Sequence, residues 1–321
     1  MAGKSFPILY IAPTNVSEAV LSSGVLKKLH DEAPNPSFTI VANRRVAPLF
    51  AEMPKVANLL VTERRGSRRR WFGLLGPLRA RRWALVIDAP AGVIAGRLRP
   101  RGPLRRAGED EPEHKLIEAA RLMRLEDDPP APYLFVSEAT RARAAGLARG
   151  RGPILALAPG ARWIGKAWPI ERFAETARRL LGSGPLAGGR LMLLGDRADV
   201  YEADTLRSVV SKERLVDLVG RADLLTSYAA LGRAHFFIGG DNPYAQLAAA
   251  AGAPTVALFG PSDDRVWRPW GERVRVVRGG RTLEEILKVD PSLSAAVRHM
   301  VDLSTDSVVS AAEGLMEEMG G

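Results

Sequence analysis

The chain has 321 residues, 46% of them hydrophobic, so it is long enough to form two domains of ordinary size. It contains no cysteine and only four histidines, which excludes a disulfide framework and a thiolate nucleophile and argues against a histidine-rich metal site. The net charge is +10, and no run approaches the roughly twenty apolar residues of a membrane-spanning helix. The short apolar stretch near the N-terminus predicts a first strand rather than a secretion signal, so we expect a cytoplasmic protein.

Apolar strand patterns alternate with helical patterns along the whole chain. The predicted strands are 7–12, 38–42, 58–61, 85–88, 154–158, 190–194, 236–238 and 255–259. The predicted helices are 18–30, 112–122, 137–148, 170–181, 200–210, 224–232, 244–251 and 305–319. Such alternation is typical of βαβ units, and it predicts an α/β fold with parallel sheets.

A break in the pattern separates the strands into two sets. It falls at residues 149–153, RGRGP, which follow the proline-rich segment DDPPAP at 127–132. Glycine and proline favour turns and linkers. We therefore expect two doubly wound domains, 1–150 and 151–303, followed by a C-terminal helix within 304–321.

The positive charge is concentrated in the first half of the chain. Residues 63–106 contain thirteen arginines, no lysine and two acidic residues. Such a cluster attracts membrane lipid, lipid-borne phosphates or nucleic acid, or it is simply a solvated basic surface. A nucleic-acid interface is the least favoured of these, because the region carries no recognised nucleic-acid-binding motif. The residues that we assign to an acceptor or membrane patch are Arg64, Arg65, Arg68, Arg69 and Arg70.

Lys166 stands in a turn between the predicted strand 154–158 and the predicted helix 170–181, and Pro169 suits the start of that helix. A cation beside a helix N-terminus favours a bound anion, because the free N–H groups and the helix dipole add to its positive potential. Such groups also stabilise negative charge that develops on a phosphate during a reaction. Lys166 is therefore a candidate diphosphate ligand, and the alternative is a surface lysine beside a helix start.

A second turn of this kind follows the predicted strand 236–238. Its sequence, GGDNPYAQLAAAAGAPTVALFGPSD at 239–263, predicts a helix capped by Asn242, with Pro243 as its first residue, and then a buried parallel strand. This arrangement favours a nucleotide or phosphate ligand. The chain has no G-x-G-x-x-G, Walker or nucleophile-elbow motif, so dehydrogenase, ATPase and serine hydrolase functions have no support.

This segment resembles the bacterial lipopolysaccharide heptosyltransferases of glycosyltransferase family 9, which read D-[ST]-G-x-x-H-L-A-A-A-x-G-x-P-x-x-x-L-F-G-P-[TS] here. Residues 159–179, PGARWIGKAWPIERFAETARR, are similar to the family's P-G-x-x-x-x-x-K-x-W-P-x-x-x-F pattern, and residues 8–29 are similar more loosely. The resemblance implies the GT-B arrangement, in which two Rossmann-like domains face a central cleft. It further implies an N-terminal acceptor-binding domain, a C-terminal nucleotide-sugar-binding domain and a last helix that returns to the first domain.

The resemblance also implies roles for individual residues. Lys166 matches the lysine that meets the diphosphate, and Glu18 stands where a carboxylate accepts the proton of the acceptor hydroxyl. The alternative for Glu18 is a capping box with Asn15, and for the other acidic candidates it is a cap, a turn or a helix surface. The residues that we assign to the donor nucleotide-sugar are Lys166, Arg162, Asp196, Glu202, Asp241, Asn242, Tyr244 and Gln246.

Three positions depart from the family's pattern. Glu18 replaces an aspartate, Asn242-Pro243 replaces a Ser/Thr-Gly pair, and Gln246 replaces a histidine. Proline removes a backbone donor, and glutamine cannot carry a charge. These departures support an alternative, a divergent member with a changed donor or lost catalysis that binds saccharide or nucleotide as an assembly partner.

The sequence thus predicts an inverting glycosyltransferase that needs no metal and no cofactor. We expect it to move a heptose-like sugar from a nucleoside-diphosphate donor, such as ADP-heptose, to a lipopolysaccharide-core or other lipid-linked saccharide. The expected partners are this donor, the anionic acceptor and the surface of the inner membrane, with no nucleic acid. The expected location is peripheral to the inner face of the cytoplasmic membrane.

Overall fold

The computed structural model describes residues 5–62, 76–89, 98, 104–106, 113–293 and 297–320. The chain divides into two compact units, Met1–Val136 and Ser137–Gly321. The expected α/β fold with parallel sheets is confirmed, because each unit contains one sheet and all of its described strand pairs are parallel.

The sheet of the first unit has the strand order β3-β2-β1-β4-β5. Its strands are β1 (Phe6–Ile11), β2 (Pro36–Asn43), β3 (Val56–Thr62), β4 (Leu85–Asp88) and β5 (Leu104–Arg106). The central strands β1 and β4 are buried almost throughout, as expected for a parallel sheet covered on both faces.

The helices of the first unit are α1 (Val16–Leu21), α2 (Ser23–Glu32) and α3 (Lys115–Arg121), and residues 76–80 are also helical. The single helix predicted at 18–30 is two helices that break at Ser22. The Ser22 hydroxyl donates to the carbonyl of Ala19, and it also lies 2.9 Å from the Tyr10 hydroxyl. Serine side chains that bond to nearby backbone in this way compete with the helical hydrogen bonds, which explains the break.

The sheet of the second unit has the strand order β11-β10-β9-β6-β7-β8. Its strands are β6 (Ile154–Ala158), β7 (Arg190–Leu193), β8 (Leu215–Asp217), β9 (Phe236–Gly240), β10 (Thr255–Phe259) and β11 (Val274–Arg278). Counted within the unit, this is the order 3-2-1-4-5-6 of the doubly wound nucleotide-binding fold.

Helices of the second unit cover this sheet. They are α4 (Glu138–Leu147), α5 (Ile170–Gly182), α6 (Val200–Arg207), α7 (Leu224–Leu231), α8 (Pro243–Ala250), α9 (Asp264–Trp267), α10 (Leu283–Val289) and α11 (Thr305–Gly320). Among the described residues, no helix combines the length and the apolar character needed to span a bilayer.

The boundary between the units lies earlier than the expected division at 150/151. Helix α4 packs against α7, so that it belongs to the second unit although the RGRGP segment follows it. Within the second unit, the C-terminal helix α11 packs against α5, β10 and β11. Its buried face, which includes Val308 and Leu315, is part of the hydrophobic core of the second unit.

Candidate active site

The strand order of each sheet reverses at one place, and the predicted site residues follow the strands that meet there. In the first unit this point lies between β1 and β4, and in the second unit between β6 and β9. Open α/β sheets bind ligands outside the carboxyl ends of the strands at such a point. Glu18 comes shortly after β1, Lys166 after β6 and Asp241 directly after β9.

Lys166 ends a short 3₁₀ helix, Ile164–Lys166, that leads from β6 towards α5. Its ammonium Nζ donates a hydrogen bond to Oδ2 of Asp241 at 2.5 Å. The Lys166 side chain is 23% exposed and that of Asp241 is 10% exposed. An ammonium has three N–H donors, so two remain to meet the oxygen atoms of an anion beside the pair.

Asn242 connects the ends of β9 and β6. Its Oδ1 caps α8 by accepting hydrogen bonds from the backbone N–H groups of Tyr244 and Ala245, at 2.9 and 3.3 Å. Its Nδ2 donates to the carbonyls of Ala158 and Gly160, at 3.0 and 3.1 Å. All four hydrogen bonds of the Asn242 side-chain amide are therefore made inside the protein, where they cap α8 and tie it to the end of β6.

Gln246 is almost fully buried in α8, with 2% of its surface exposed. Its Nε2 donates to the backbone carbonyl of Trp267, 2.7 Å away at the end of α9. Its Oε1 is buried and accepts no hydrogen bond from the described residues. The side chain at this departure from the family's pattern therefore anchors the segment that follows β10.

Tyr244 lies close to the carboxylates at the end of β7. Burial is the main reason that its pKa is raised, and the charges of Asp196 and Asp199 add to this effect. Asp196 and Asp199 form a capping box, in which Asp196 accepts from Ala198 N at 2.7 Å and Asp199 accepts from Asp196 N at 2.8 Å. Asp196 is exposed, as is Glu202 in the first turn of α6.

Asp199 was not identified from the sequence, although the spacing Asp196-x-x-Asp199 is that of a capping box. Its side chain fits against two glycines, since a Cβ atom on Gly160 would lie 2.4 Å from Oδ1 and one on Gly195 would lie 2.9 Å from its Cβ. Burial is the largest cause that raises the pKa of its carboxyl group. These contacts indicate that Asp199 shapes the edge of the sheet between β6 and β7.

Glu18 lies in the first unit, on the first turn of α1. The cap of this helix is Asn15, which accepts from Ser17 N at 2.9 Å, and Glu18 does not take part in it. Within the described part of the chain, the Glu18 carboxylate makes no hydrogen bond and no ion pair. It lines a small, open pocket that Pro13, after β1, and Ala89, after β4, also line.

Burial raises the pKa of the Glu18 carboxyl group. The positive charge of Lys115 opposes this shift, and the negative charge of Glu118 reinforces it. An unpaired carboxylate with a raised pKa in a pocket is a candidate general base. Lys115 and Glu118 could not be assigned to this pocket from the sequence, because they are almost one hundred residues away from Glu18.

Arg162 is the remaining candidate on the donor side. Arg162 is exposed and forms no ion pair with the described residues. The patch Arg64, Arg65, Arg68, Arg69 and Arg70 lies outside the described residues. No group of three or more histidine, aspartate or glutamate side chains is arranged to hold a metal ion in the part of the chain that the structure describes.

Comparison with known proteins agrees with this organisation. A sequence model of the family described as glycosyltransferase family 9 (heptosyltransferase) matches residues 111–292. The chain is 23% identical to lipopolysaccharide heptosyltransferase 2 of Salmonella typhimurium over 353 aligned positions, which cover 98% of the chain and 99% of the relative.

Two solved structures show the same fold along nearly the whole chain. A family 9 glycosyltransferase from Veillonella parvula superposes with a TM-score of 0.79 at 19% identity and covers 97% of each chain. ADP-heptose lipopolysaccharide heptosyltransferase II of E. coli superposes with a TM-score of 0.74 at 20% identity, covering 98% of this chain and 100% of the other.

Proposed function

Because the chain belongs to glycosyltransferase family 9, we propose that it transfers a heptose-like sugar from an ADP-sugar donor to a lipopolysaccharide-core or other lipid-linked saccharide. The enzyme is a glycosyltransferase, and its relatives include proteins named as lipopolysaccharide heptosyltransferases. The observation that carries the finer proposal is the Lys166–Asp241 pair at the strand-order reversal of the second unit.

Lys166 has the chemistry to stabilise a leaving nucleoside diphosphate. When the bond between the anomeric carbon and the diphosphate breaks, negative charge develops on the phosphate oxygens. A positive group that is already in place lowers the energy of this state without having to reorganise. Asp241 fixes the ammonium in the site, and the two N–H donors that it leaves can point at the diphosphate.

Glu18 is the proposed general base of the first unit. The acceptor hydroxyl oxygen attacks the anomeric carbon as the bond to the diphosphate breaks, and the hydroxyl proton passes to the Glu18 carboxylate. A single displacement of this kind inverts the configuration of the anomeric carbon. The free, partly buried carboxylate with its raised pKa supports this role.

The arginine-rich segment is proposed to contact the anionic acceptor or the membrane surface. Its charge is a property of the sequence, with thirteen arginines in residues 63–106. Basic segments are attracted to anionic lipid by about 1 kcal/mol for each charge near the surface. On this basis we place the enzyme at the inner face of the cytoplasmic membrane, where lipid-linked acceptors would be reached.

A panel of nucleotide sugars tests the proposed function. ADP-, UDP- and GDP-linked sugars are compared by thermal shift, and each is then assayed for nucleotide release with a lipid-linked core saccharide. We expect the ADP-sugar to give the largest shift and to be the only donor that releases its nucleotide in an acceptor-dependent way. Turnover with another nucleotide, but not with ADP-sugar, would contradict the donor assignment.

A second candidate function is binding without catalysis. It is favoured by the full bonding of Asn242 and by the contact of Gln246 with Trp267, which use two positions of the donor motif for internal contacts. This candidate predicts a thermal shift with a nucleotide sugar and no release of nucleotide with any acceptor.

A further inference from the structure

The pocket around Glu18 contains two more charged side chains, both from α3. Lys115 and Glu118 line it together with Glu18, and α3 packs against α1, the helix that carries Glu18. Lys115 is the first residue of α3, whose N-cap is His114. Three ionisable side chains from two helices thus meet where the strand order of the first sheet reverses.

The two α3 side chains are paired with each other rather than with Glu18. Lys115 Nζ forms a hydrogen-bonded ion pair with Glu118 Oε2, and the two side chains are 25% and 20% exposed. Among the described residues no hydrogen bond or ion pair joins Lys115 to Glu18. The cation is near enough to act on Glu18 electrostatically, but a different carboxylate holds it.

We propose that Lys115 and Glu118 are positioning residues for Glu18. Lys115 acts as the counter-ion of the base, and Glu118 holds Lys115 so that it forms no direct ion pair with Glu18. This inference takes its catalytic meaning from the proposed function, whereas the charge arrangement can be tested without it. Neither residue needs to contact the acceptor or the donor.

The physical reason is a competition between two carboxylates for one ammonium. If Lys115 bonded Glu18 directly, the bond would stabilise the ionised carboxylate and make it a poor proton acceptor. With Lys115 bonded to Glu118, the effect of burial on Glu18 is larger than the effect of the cation, and the pKa of Glu18 is raised. The nearby cation still limits this rise, so that the carboxylate can be ionised before the reaction starts.

Other titratable groups close to the pocket belong to β1, β4 and the start of α3. Tyr10 of β1 is fully buried, with a pKa raised mainly by that burial, so it stays neutral. Asp88 ends β4, directly before Ala89 of the pocket wall, and is completely buried. His114, also buried, accepts a hydrogen bond from Leu116 N through Nδ1. Lys115 and Glu118 are the two charges that act on Glu18 most strongly.

A carboxyl titration in the full chain tests the arrangement. The ¹³C resonance of the Glu18 carboxyl carbon is assigned by its loss in Glu18→Gln and followed by NMR against pH. We expect Lys115→Met to raise the titration midpoint by about one pH unit, because it removes the opposite charge. Glu118→Gln should lower the midpoint by roughly half a unit or more, because it removes a like charge and frees Lys115 to approach Glu18.

Two variants serve as matched controls. Lys115→Arg keeps the positive charge, so it should leave the midpoint near its original value. Lys28→Met removes the cation of an exposed i,i+4 pair with Glu32 on α2 of the same unit, and it should not move the midpoint. The inference is overturned if Lys115→Met and Glu118→Gln shift the midpoint in the same direction, or by no more than Lys28→Met does. If the Lys115→Met variant does not fold, an unchanged Glu18 titration midpoint in Glu118→Gln is sufficient to overturn the inference.

The pH profile of sugar transfer separates this inference from the proposed function. The acidic limb of kcat/KM should move in the same two directions as the titration midpoints. If Glu18→Gln transfers sugar at an unchanged rate, Glu18 is not the base, although opposite titration shifts would still support the charge arrangement. If Glu18→Gln is inactive and neither α3 variant moves the midpoint, the positioning role fails while the proposed function stands.

Discussion

At the scale of single residues, the two proposed catalytic side chains are prepared in opposite ways. Lys166 is held by Asp241 through a 2.5 Å hydrogen bond, whereas Glu18 lies in its pocket without a partner among the described residues. A phosphate-binding cation that is already fixed in place stabilises the developing charge without having to reorganise. A general base gains from being unpaired, because a bonded carboxylate accepts a proton less readily.

The first prediction concerns Lys166. Lys166→Met keeps much of the side chain's length and removes its charge, and we expect kcat to fall by about 100-fold or more, as for the loss of one transition-state electrostatic contact. ADP should also bind more weakly. Lys288→Met, which removes an exposed lysine on α10 of the same unit, is the control and should change neither quantity. A fall in kcat of less than about threefold would remove Lys166 from the proposed site.

The second prediction uses the raised pKa of Glu18. In the folded protein this group holds its proton to higher pH than in the unfolded chain, so its contribution to the free energy of unfolding decreases as pH rises from about 4.5 through the raised pKa. Glu18→Gln removes the cost of burying an ionised carboxylate in the folded protein. The variant should therefore be more stable than the parent at pH 7, although it is expected to be inactive, and equally stable below about pH 4.

Urea unfolding of the two proteins at both pH values measures this difference. The pH dependence contributed by the other ionisable groups is common to both proteins, so it cancels in the difference between them. An equal difference at both pH values would mean that Glu18 is not destabilised by burial in the folded state.

At the scale of elements, the turn that carries Lys166 is fixed by residues far away in the sequence. His299 donates its backbone N–H to the carbonyl of Gly165 at 3.3 Å, and its ring packs edge-on against Trp163, with 6.1 Å between ring centroids. The His299 ring is fully buried, and its Nε2 lies 2.9 Å from Asp290 Oδ2. The segment before α11 therefore stabilises the 3₁₀ helix Ile164–Lys166.

The third prediction tests the close packing of this turn. A Cβ atom on Gly165 would lie 1.7 Å from the ring of Trp163, so Gly165→Ala should displace the turn and destabilise the fold by about 1–3 kcal/mol. Because Lys166 is the next residue, ADP affinity should fall as well.

Gly182→Ala is the matched control, since a Cβ atom there meets nothing within 4 Å. Gly182 ends α5, where alanine is favoured over glycine by up to about 1 kcal/mol, so this variant should be neutral or slightly stabilised. Calorimetric melting and ADP titration measure both effects. If the two variants behave alike, the Lys166 turn is not limited by packing against Trp163.

At the scale of the whole molecule, each unit has its own sheet, but their boundary does not lie at the glycine-rich segment. Helix α4 precedes that segment and packs on α7 of the second unit. The donor-side candidates and the core that supports them all lie after Ser137. The second unit therefore contains the whole of the proposed donor site together with its own hydrophobic core.

The fourth prediction follows from this boundary. A fragment of residues 137–321 should melt cooperatively and bind ADP within a few-fold of the full chain. A fragment of residues 151–321 lacks α4, so it exposes the face of α7 that α4 covers, and it should be less stable by several kcal/mol, as for the loss of a packed helix. Circular dichroism melts and calorimetric titration compare the two. Tight ADP binding by the full chain, with none by the longer fragment, would show that the donor site needs the first unit.

Local sequence patterns were sufficient for most of the fold. Each of the eight predicted strands is present, because the central strands of a parallel sheet are continuous apolar runs such as ILALA in β6 and TVALF in β10. The strands that were not predicted are β5, β8 and β11, with the sequences LRR, LVD and VRVVR. All three lie at the edges of the sheets, where charged residues are common and the apolar pattern is weak.

The sequence by itself determined the α/β class, the Asn242 cap and the turns that carry Lys166 and Asp241, because each depends on residues close together in the chain. Only the tertiary structure decided that Lys166 pairs with Asp241, that Lys115 and Glu118 lie beside Glu18, and that α11 packs on the second unit. These contacts join residues tens to more than a hundred positions apart. They depend on strand order and crossover connections, which bring distant segments to one edge of a sheet and leave no periodic signal in the local sequence.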